Sequence, residues 1–138
     1  MMMKKNFFVA IALLVLTGCA VRLPEDELRM TRERLDNYWR NRNLTQTEMT
    51  RWSADELELA EMERYIIEYR IRNQPGYEKI GKQFTADCKL FEKKLKAEWE
   101  KPSEYAGGSM EPMDRNGRMT ALVEKRIAEL KAKWLTKP

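Results

Sequence analysis

The sequence contains no histidine and only two cysteines, Cys19 and Cys88. Histidine is the commonest general base and zinc ligand, so its absence removes those sites and every cysteine–histidine nucleophile pair. The three serines, Ser53, Ser103 and Ser109, lie outside any nucleophile-elbow pattern. We therefore expect no enzymatic activity, no metal or other cofactor and no small-molecule substrate.

Long apolar runs are also absent, except near the N-terminus. There, residues 7–16 form an apolar segment that follows Lys4 and Lys5 and precedes Thr17-Gly18-Cys19. A membrane-spanning helix needs roughly 20 apolar residues, so this segment is too short for a permanent anchor. The order of a basic segment, a short apolar segment and small residues predicts a signal peptide, residues 1–18, that is cleaved before Cys19.

The signal ends in Leu16-Thr17-Gly18-Cys19, which matches the lipobox of bacterial lipoproteins. This resemblance implies cleavage between Gly18 and Cys19 and a covalent lipid, a diacylglycerol and an N-acyl chain, on Cys19. Each buried methylene contributes about 0.8 kcal/mol, so two or three acyl chains give lasting membrane attachment. Ala20 stands where enterobacterial lipoproteins kept in the inner membrane have aspartate. The resemblance therefore implies an outer-membrane protein that faces the periplasm.

The mature chain is long enough for one small domain. We expect a lipidated tether at residues 19–24 and a single domain at residues 25–138. Of the 26 basic residues two lie in the signal, which has no acid, so the mature chain has 24 basic and 22 acidic residues, a net charge of about +2. The charges are mixed and form no polybasic block, so we expect no nucleic-acid partner.

Helical periodicity predicts an all-α fold, a small bundle of three to four amphipathic helices. The first helix is predicted from Glu25 to Asn41, after which residues 45–51 are expected to form a brief turn. Ser53 and Glu56 have the spacing of a capping box, which predicts a second helix from Ala54 to Arg72.

The third predicted helix has the clearest pattern, with apolar residues every three or four positions from Tyr77 to Trp99. Residues 102–117 are rich in proline and glycine and are predicted to be a loop. The last predicted helix runs from Met119 to Trp134. Cys88 falls within the apolar stripe of the third helix, which favours a buried thiol over the alternative of a reactive or partner-bonded one.

Several residues are candidates for contact with a protein partner. Trp52 is predicted either to pack on the first turn of the second helix or to be an exposed contact. The acidic residues of the second helix are either solvated or face a basic protein; they are Asp55, Glu56, Glu58, Glu61 and Glu63. The partner-binding residues predicted from the sequence are Trp52, Glu56, Gly107, Gly108 and Ser109.

Four short motifs occur in order: Ala86-Asp87-Cys88, Phe91-Glu92, Gly107-Gly108-Ser109-Met110, and a helix with Leu122, Arg126 and Leu130. Together, over roughly residues 77–130, they resemble the C-terminal half of the LprI-like lysozyme-inhibitor domain family, which consists of small helical envelope proteins. The resemblance implies a helical domain that inhibits lysozyme by binding it.

The chain departs from that family at three positions. Val123 replaces a threonine, and Ile80 stands where the family has tryptophan. Residues 116–119 lack the second cysteine with which the family closes a disulfide across the Gly-Gly-Ser loop.

Two functions therefore follow from the sequence. The first is an outer-membrane-anchored protein-binding module that inhibits lysozyme or another peptidoglycan-cleaving enzyme. The alternative is a structural or assembly subunit of an envelope apparatus for secretion, conjugation or pilus formation, because long amphipathic helices also suit helix-in-groove contacts.

Overall fold

The computed structural model describes residues 24–40 and 42–137. These residues form four α-helices and no strand: α1 Pro24–Trp39, α2 Gln46–Asn73, α3 Tyr77–Glu100 and α4 Glu111–Glu129. A π-helical turn, Leu130–Trp134, continues α4. The predicted all-α fold is thus confirmed. The predicted signal, Cys19, the tether up to residue 23, and Asn41 lie outside the described residues.

The N-terminus of α2 differs from the prediction. The helix begins at Gln46, and Thr45 is its N-cap: the Thr45 hydroxyl accepts from the backbone N–H of Glu48, and the Glu48 carboxylate accepts from the backbone N–H of Thr45. Both Thr45-x-x-Glu48 and Ser53-x-x-Glu56 have capping-box spacing, and the chain uses the first. The predicted turn at residues 45–51 and the cap at Ser53 are therefore wrong. Ser53 lies inside the helix, where its hydroxyl donates to the Thr50 carbonyl at 2.7 Å.

The start of α4 also differs from the prediction. The predicted loop at residues 102–117 ends at Met110, because α4 begins at Glu111 with Pro112 in its first turn. Proline is well tolerated there, since the first helical N–H groups have no partner within the helix. Asn116 and Gly117, which suggested a turn, lie within α4.

Helices α2, α3 and α4 form the core of the bundle. Gly76, in the left-handed region with φ +81°, reverses the chain between α2 and α3. Helix α4 then runs antiparallel to α3, and parallel to α2. Along α2 and α4, Gln46 contacts Met110 at one end, Ser53 contacts Asn116, and the Gln74 side chain donates to the Trp134 carbonyl at the other end.

The core is filled by apolar side chains from these three helices. Phe84, Ile71, Val123 and Leu130 have no exposed surface, and the Phe84 ring meets the Trp134 ring edge-on at 5.3 Å between centroids. A fully buried side chain of this size contributes about 1.5–3 kcal/mol to folding. The apolar stripes predicted for α3 and α4 are therefore the core faces of those helices, except that Trp99 is half-exposed.

Helix α1 packs antiparallel on α2. Glu25 pairs with Arg70, Arg32 with Glu63 at 3.6 Å, and the Trp39 indole donates to Asp55 at 3.1 Å. Trp39 is the one fully buried residue of α1.

Helices α1 and α3 lie on different sides of α2. The α2 residues that bind α1 are Asp55, Glu63 and Arg70, whereas Arg64 reaches Glu92 of α3. At about 100° per residue, Arg64 is rotated by about 100° to 180° around α2 from the three residues that bind α1.

Candidate partner-binding end

The two ends of the bundle differ in character. We call residues 24–29, 69–82 and 129–137 the proximal end, because the chain reaches the lipid-attachment position from there. Pro24 is the fifth residue after Cys19, so the lipid-bearing residue lies within about 18 Å of Pro24. We call residues 38–40, 42–53 and 95–118 the distal end. Helix α2, with 28 residues, connects them and is about 42 Å long.

Four aromatic side chains are exposed at the distal end. They are Tyr38 at the end of α1, Trp52 near the start of α2, Trp99 at the end of α3 and Tyr105 in the loop before α4, and each is 43–49 % exposed. Tyrosine and tryptophan combine a large apolar surface with a polar tip and are enriched at protein interfaces. Of these four, the sequence predicted only Trp52 as a contact residue.

The position of Trp52 excludes one of its two predicted roles. It cannot pack onto the first turn of α2 as a residue before the cap, because α2 starts six residues earlier, at Gln46. The predicted packing of Trp52 on the first turn of the second helix is therefore wrong. Its indole is 43 % exposed, which leaves the alternative of an exposed contact.

The loop that carries Gly107, Gly108 and Ser109 is ordered by hydrogen bonds. The buried Ser103 hydroxyl donates to Asp114 at 2.7 Å and accepts from the Tyr105 N–H at 3.1 Å. This bond from Ser103 lowers the pKa of the Asp114 carboxyl, and Arg118 lowers it further. The Gly107 N–H donates to Glu111 at 2.8 Å, and Gly107 has φ +76°, a conformation that glycine adopts without strain. These contacts fix the loop without a disulfide.

Ion pairs hold the ends of α3 and α4 together beneath the loop. Glu98 accepts from Lys101 at 3.0 Å and from Arg118 at 2.7 Å, and both bonds lower the pKa of Glu98. The Arg115 guanidinium lies over the Trp99 ring, 5.0 Å from its centroid. This contact fixes the ring while leaving about half of its surface free for a partner.

Three of the five acidic residues singled out on α2 bind other side chains of the bundle. Asp55 accepts from Trp39, Glu61 binds Arg64 at 2.7 Å, and Glu63 binds Lys131 at 2.9 Å. These three carboxylates therefore already have partners within the bundle. Glu56, a predicted contact residue, is half-buried one turn beyond the distal end.

The α3 and α4 residues of the motifs that resemble the LprI-like family contact a charge network inside the bundle. They do not form a surface patch. Arg64 is 1 % exposed and binds Glu61, Glu68 and Glu92 at 2.7–3.2 Å. Burial would lower the pKa of Arg64, but Glu61 and Glu68 more than offset it, so the pKa is raised and the guanidinium stays charged.

Arg126 forms the second half of the network. It binds Asp87 at 2.5 Å and lies 5.1 Å from the centroid of Phe91, whose ring is also 5.2 Å from the Arg64 guanidinium. Two arginines from neighbouring helices thus share one aromatic ring of α3. The Asp87, Phe91 and Arg126 motif residues hold the crossing of α3 and α4 in place.

Cys88 lies between two arginines of this network. Its sulfur is 3.9 Å from Arg72 and 3.7 Å from Arg126, and the side chain packs partly buried against the core. Burial and Glu68 raise the pKa of the thiol, while Arg72 and Arg126 lower it less strongly. The thiol is therefore mostly protonated at neutral pH and a poor nucleophile.

Within residues 24–40 and 42–137, histidine, cysteine, aspartate and glutamate side chains form no group of three or more that could hold a metal ion. None of the four described helices has the length and apolar character needed to span a membrane.

Comparison with known proteins identifies the N-terminus. Residues 3–20 match the family model of the prokaryotic membrane lipoprotein lipid attachment site. This confirms the predicted lipoprotein signal and supports a covalent lipid on Cys19, so the chain is a membrane-anchored envelope lipoprotein. Neither a curated protein nor a solved structure matches the chain. The resemblance of residues 77–130 to the LprI-like family and the predicted contact residues stay predictions.

Proposed function

We propose that this lipoprotein is a non-catalytic protein-binding module of the outer membrane that faces the periplasm and inhibits a peptidoglycan-cleaving enzyme, such as a lysozyme, with its distal end. The observation that carries the proposal is the distance between the lipid-attachment end and the exposed aromatic side chains. The lipid is attached at one end of the bundle, and four exposed aromatic side chains lie at the other end.

This arrangement suits capture of a soluble protein near a membrane. With the proximal end held within about 18 Å of the lipid by the short tether, the distal end reaches farthest from the bilayer. Interfaces concentrate their binding energy in a few tyrosine, tryptophan and arginine side chains. Trp52, Trp99, Tyr105 and Arg115 supply such groups, and the hydrogen-bonded loop holds Tyr105 in place before a partner arrives.

The choice of partner rests on the sequence. Histidine is absent, which supports binding over catalysis. The resemblance to the LprI-like family supports a wall-cleaving enzyme as the partner, and Ala20 after Cys19 supports the outer membrane.

The test uses the mature lipoprotein in nonionic detergent. It is added to a panel of lysozymes and bacterial wall hydrolases, and the release of soluble fragments from peptidoglycan is measured. We expect inhibition of at least one enzyme of the panel. Trp52→Ala should weaken this inhibition roughly tenfold or more, because truncation of a central aromatic contact costs about 2 kcal/mol.

Tyr69→Ala is the matched control. Tyr69 lies on the same helix and is 60 % exposed, but it belongs to the proximal end. Equal loss with both variants would contradict a distal binding site. If no enzyme of the panel is inhibited, the inhibitor function is wrong. The structural-subunit alternative would be established if crosslinking in cells recovered a component of an envelope apparatus in a stoichiometric amount.

A further inference from the structure

The positive charge of the mature chain is concentrated at the proximal end. Together with Arg22 of the tether, this end contains nine basic and five acidic residues, a net charge of about +4. The rest of the mature chain contains 15 basic and 17 acidic residues, a net charge of about −2. The end that carries the lipid-attachment position is therefore positive, and the remainder of the molecule is negative.

The segments of the proximal end are held together by side-chain contacts. Glu25, at the start of α1, pairs with Arg70, near the end of α2. The Gln74 side chain donates to the Trp134 carbonyl at 2.9 Å and accepts from the Thr136 N–H at 3.0 Å. The turn after Gln74 leads directly into α3. The cations at the start of α3 and those that follow α4 therefore lie at the same end of the bundle.

Four lysines of this end are exposed and make no ion pair within the described part of the chain: Lys79, Lys82, Lys133 and Lys137. The acids of this end are less available to a partner. Glu25 is bound by Arg70, Asp26 lies 3.7 Å from Arg29, and only Glu78 and Glu129 are exposed. An anionic partner thus meets four ammonium groups that no carboxylate of the described bundle binds.

An exposed aromatic side chain accompanies these lysines. Tyr69, one turn before the end of α2, is 60 % exposed. Tyrosine is enriched where proteins meet the headgroup region of a bilayer, and clustered lysines bind anionic lipids. Protein interfaces, in contrast, are depleted in lysine. This composition favours a lipid surface over a protein partner.

We propose that the proximal end docks on the anionic headgroups of the bilayer that holds the lipid of Cys19. Pro24 is the fifth residue after Cys19, so the tether keeps this end within about 18 Å of the lipid-bearing residue. A short flexible linker gives the groups that it joins an effective concentration in the millimolar range. The wall and soluble proteins have no such link to the proximal end, so the bilayer is the anionic surface that the tether favours.

Docking of this end determines the orientation of the molecule. The acyl chains alone attach the domain but leave it free to turn about the tether. With the proximal end on the headgroups, α2 points away from the bilayer, and the distal end lies about 42 Å farther out. The contact therefore sets the orientation of the bundle, whereas the lipid sets its attachment.

The test is acylation of the lysines by a charged succinimidyl ester, followed for each residue by mass spectrometry. The mature lipoprotein is transferred from nonionic detergent to preformed vesicles of phosphatidylcholine, with or without phosphatidylglycerol, so that the domain faces outward. On the vesicles with phosphatidylglycerol, Lys79, Lys133 and Lys137 should react roughly fivefold more slowly, the factor that corresponds to about 1 kcal/mol for a cation at an anionic surface. Added salt should restore the rates, since it screens the charges.

Lys93, Lys94 and Lys125 are internal controls, because they are exposed and lie between the two ends of the bundle. Their rates should be the same on both kinds of vesicle. Equal slowing of the control lysines would show that the bundle lies on its side, and equal rates of the proximal lysines on the two kinds of vesicle would show that this end does not dock. Either result overturns the proposal.

A variant with Lys79→Gln, Lys133→Gln and Lys137→Gln removes three of the four free cations and leaves Lys82 as a reporter. We expect Lys82 to lose its protection in this variant. It should keep the protection in the matched variant with Lys93→Gln, Lys94→Gln and Lys125→Gln, which has the same change of charge. Circular dichroism checks that both variants are folded, and protection of Lys82 that persists in the first variant would overturn the proposal.

A further arm adds purified peptidoglycan to the lipoprotein on vesicles of phosphatidylcholine alone. Slower reaction of the proximal lysines there than on phosphatidylglycerol would assign the surface to the wall and overturn the proposal. Inhibition by the distal end is measured in detergent, without a bilayer, so each proposal can fail without the other.

Discussion

Replacement of Arg64 by methionine tests the buried charge network most directly. Methionine fills much of the volume of the arginine side chain but leaves Glu68 without its closest cation, which lies at 2.8 Å. Glu61 and Glu92 are 24 % and 37 % exposed and can be rehydrated, whereas the Glu68 side chain is 5 % exposed. Arg72, at 3.6 Å, is then the remaining cation near Glu68.

The expected loss of stability follows from this geometry. Removal of one partner of a buried ion pair costs about 3–5 kcal/mol. A domain of this size is stable by about 5–15 kcal/mol, so the variant should be marginal, with a Tm lower by roughly 15 °C. Urea unfolding followed by circular dichroism measures the change in free energy, and an unchanged m-value shows that the same surface is exposed on unfolding.

The matched control is Arg29→Met. Arg29 makes a similar pair with Glu33 at 3.1 Å, but the two side chains are 62 % and 60 % exposed, so the loss should be below about 0.5 kcal/mol. A double variant, Arg64→Met with Glu68→Leu, removes the unpaired buried charge and should recover more than half of the loss. If the two arginine substitutions have equal cost, burial does not set the energy of the network and the reasoning is refuted.

Two further predictions concern the helix ends. Thr45→Ala should lower the free energy of unfolding by about 1 kcal/mol, as measured by urea denaturation, because the Thr45 hydroxyl caps the start of α2. Thr45→Ser keeps a hydroxyl at this position and should restore the lost stability. Hydrogen bonds from Lys101 and Arg118 lower the pKa of Glu98 in the folded state. These bonds therefore stabilise the folded protein fully at a pH above the ordinary glutamate pKa. The stabilisation is lost as the pH falls through the lower pKa of the folded state. Glu98→Gln should therefore lose less stability than the unchanged protein on acidification below about pH 4.5; an equal loss would contradict a role for Glu98 in the acid response.

The existence and type of the helices could be predicted from the sequence because α3 and α4 bury apolar side chains at regular intervals. Phe84, Phe91 and Leu95 mark the core face of α3, and Met119 and Val123 mark that of α4. The helix boundaries were less predictable. Two capping-box sequences occur eight residues apart, at Thr45 and Ser53, and local spacing does not say which one the tertiary contacts of residues 46–53 favour.

The core face of α2 could not be predicted from apolar periodicity. Leu59, Met62, Ile66 and Tyr69 follow one another at helical spacing in the sequence, yet Tyr69 is exposed, and the face toward α3 and α4 carries Ala60, Ile67 and Ile71. The reason is that Arg64 and Glu68 occupy buried positions of that face. Charged residues are seldom fully buried unless they are paired, and the partners on α3 and α4 are invisible to a local pattern.

The candidate contact surface was predictable only in part. The exposed position of Trp52 was one of two alternatives, and the glycines of the loop are indeed on the surface. Trp99 and Tyr105 were missed, because a tryptophan that continues an apolar stripe at a helix end looks like a core residue until the tertiary structure shows its ring under Arg115 with about half of its surface exposed.

The parallel arrangement of α2 and α4 has a consequence for the order in which the chain can fold. Their contacts join residues sixty or more positions apart, as between Gln46 and Met110, whereas α2 and α3 are neighbours in the sequence. Local contacts form faster than distant ones. As the chain emerges from the export channel, the hairpin of α2 and α3 therefore lacks the cover that Trp134 gives Phe84 and that Arg126 gives Phe91 until the last helix has also crossed.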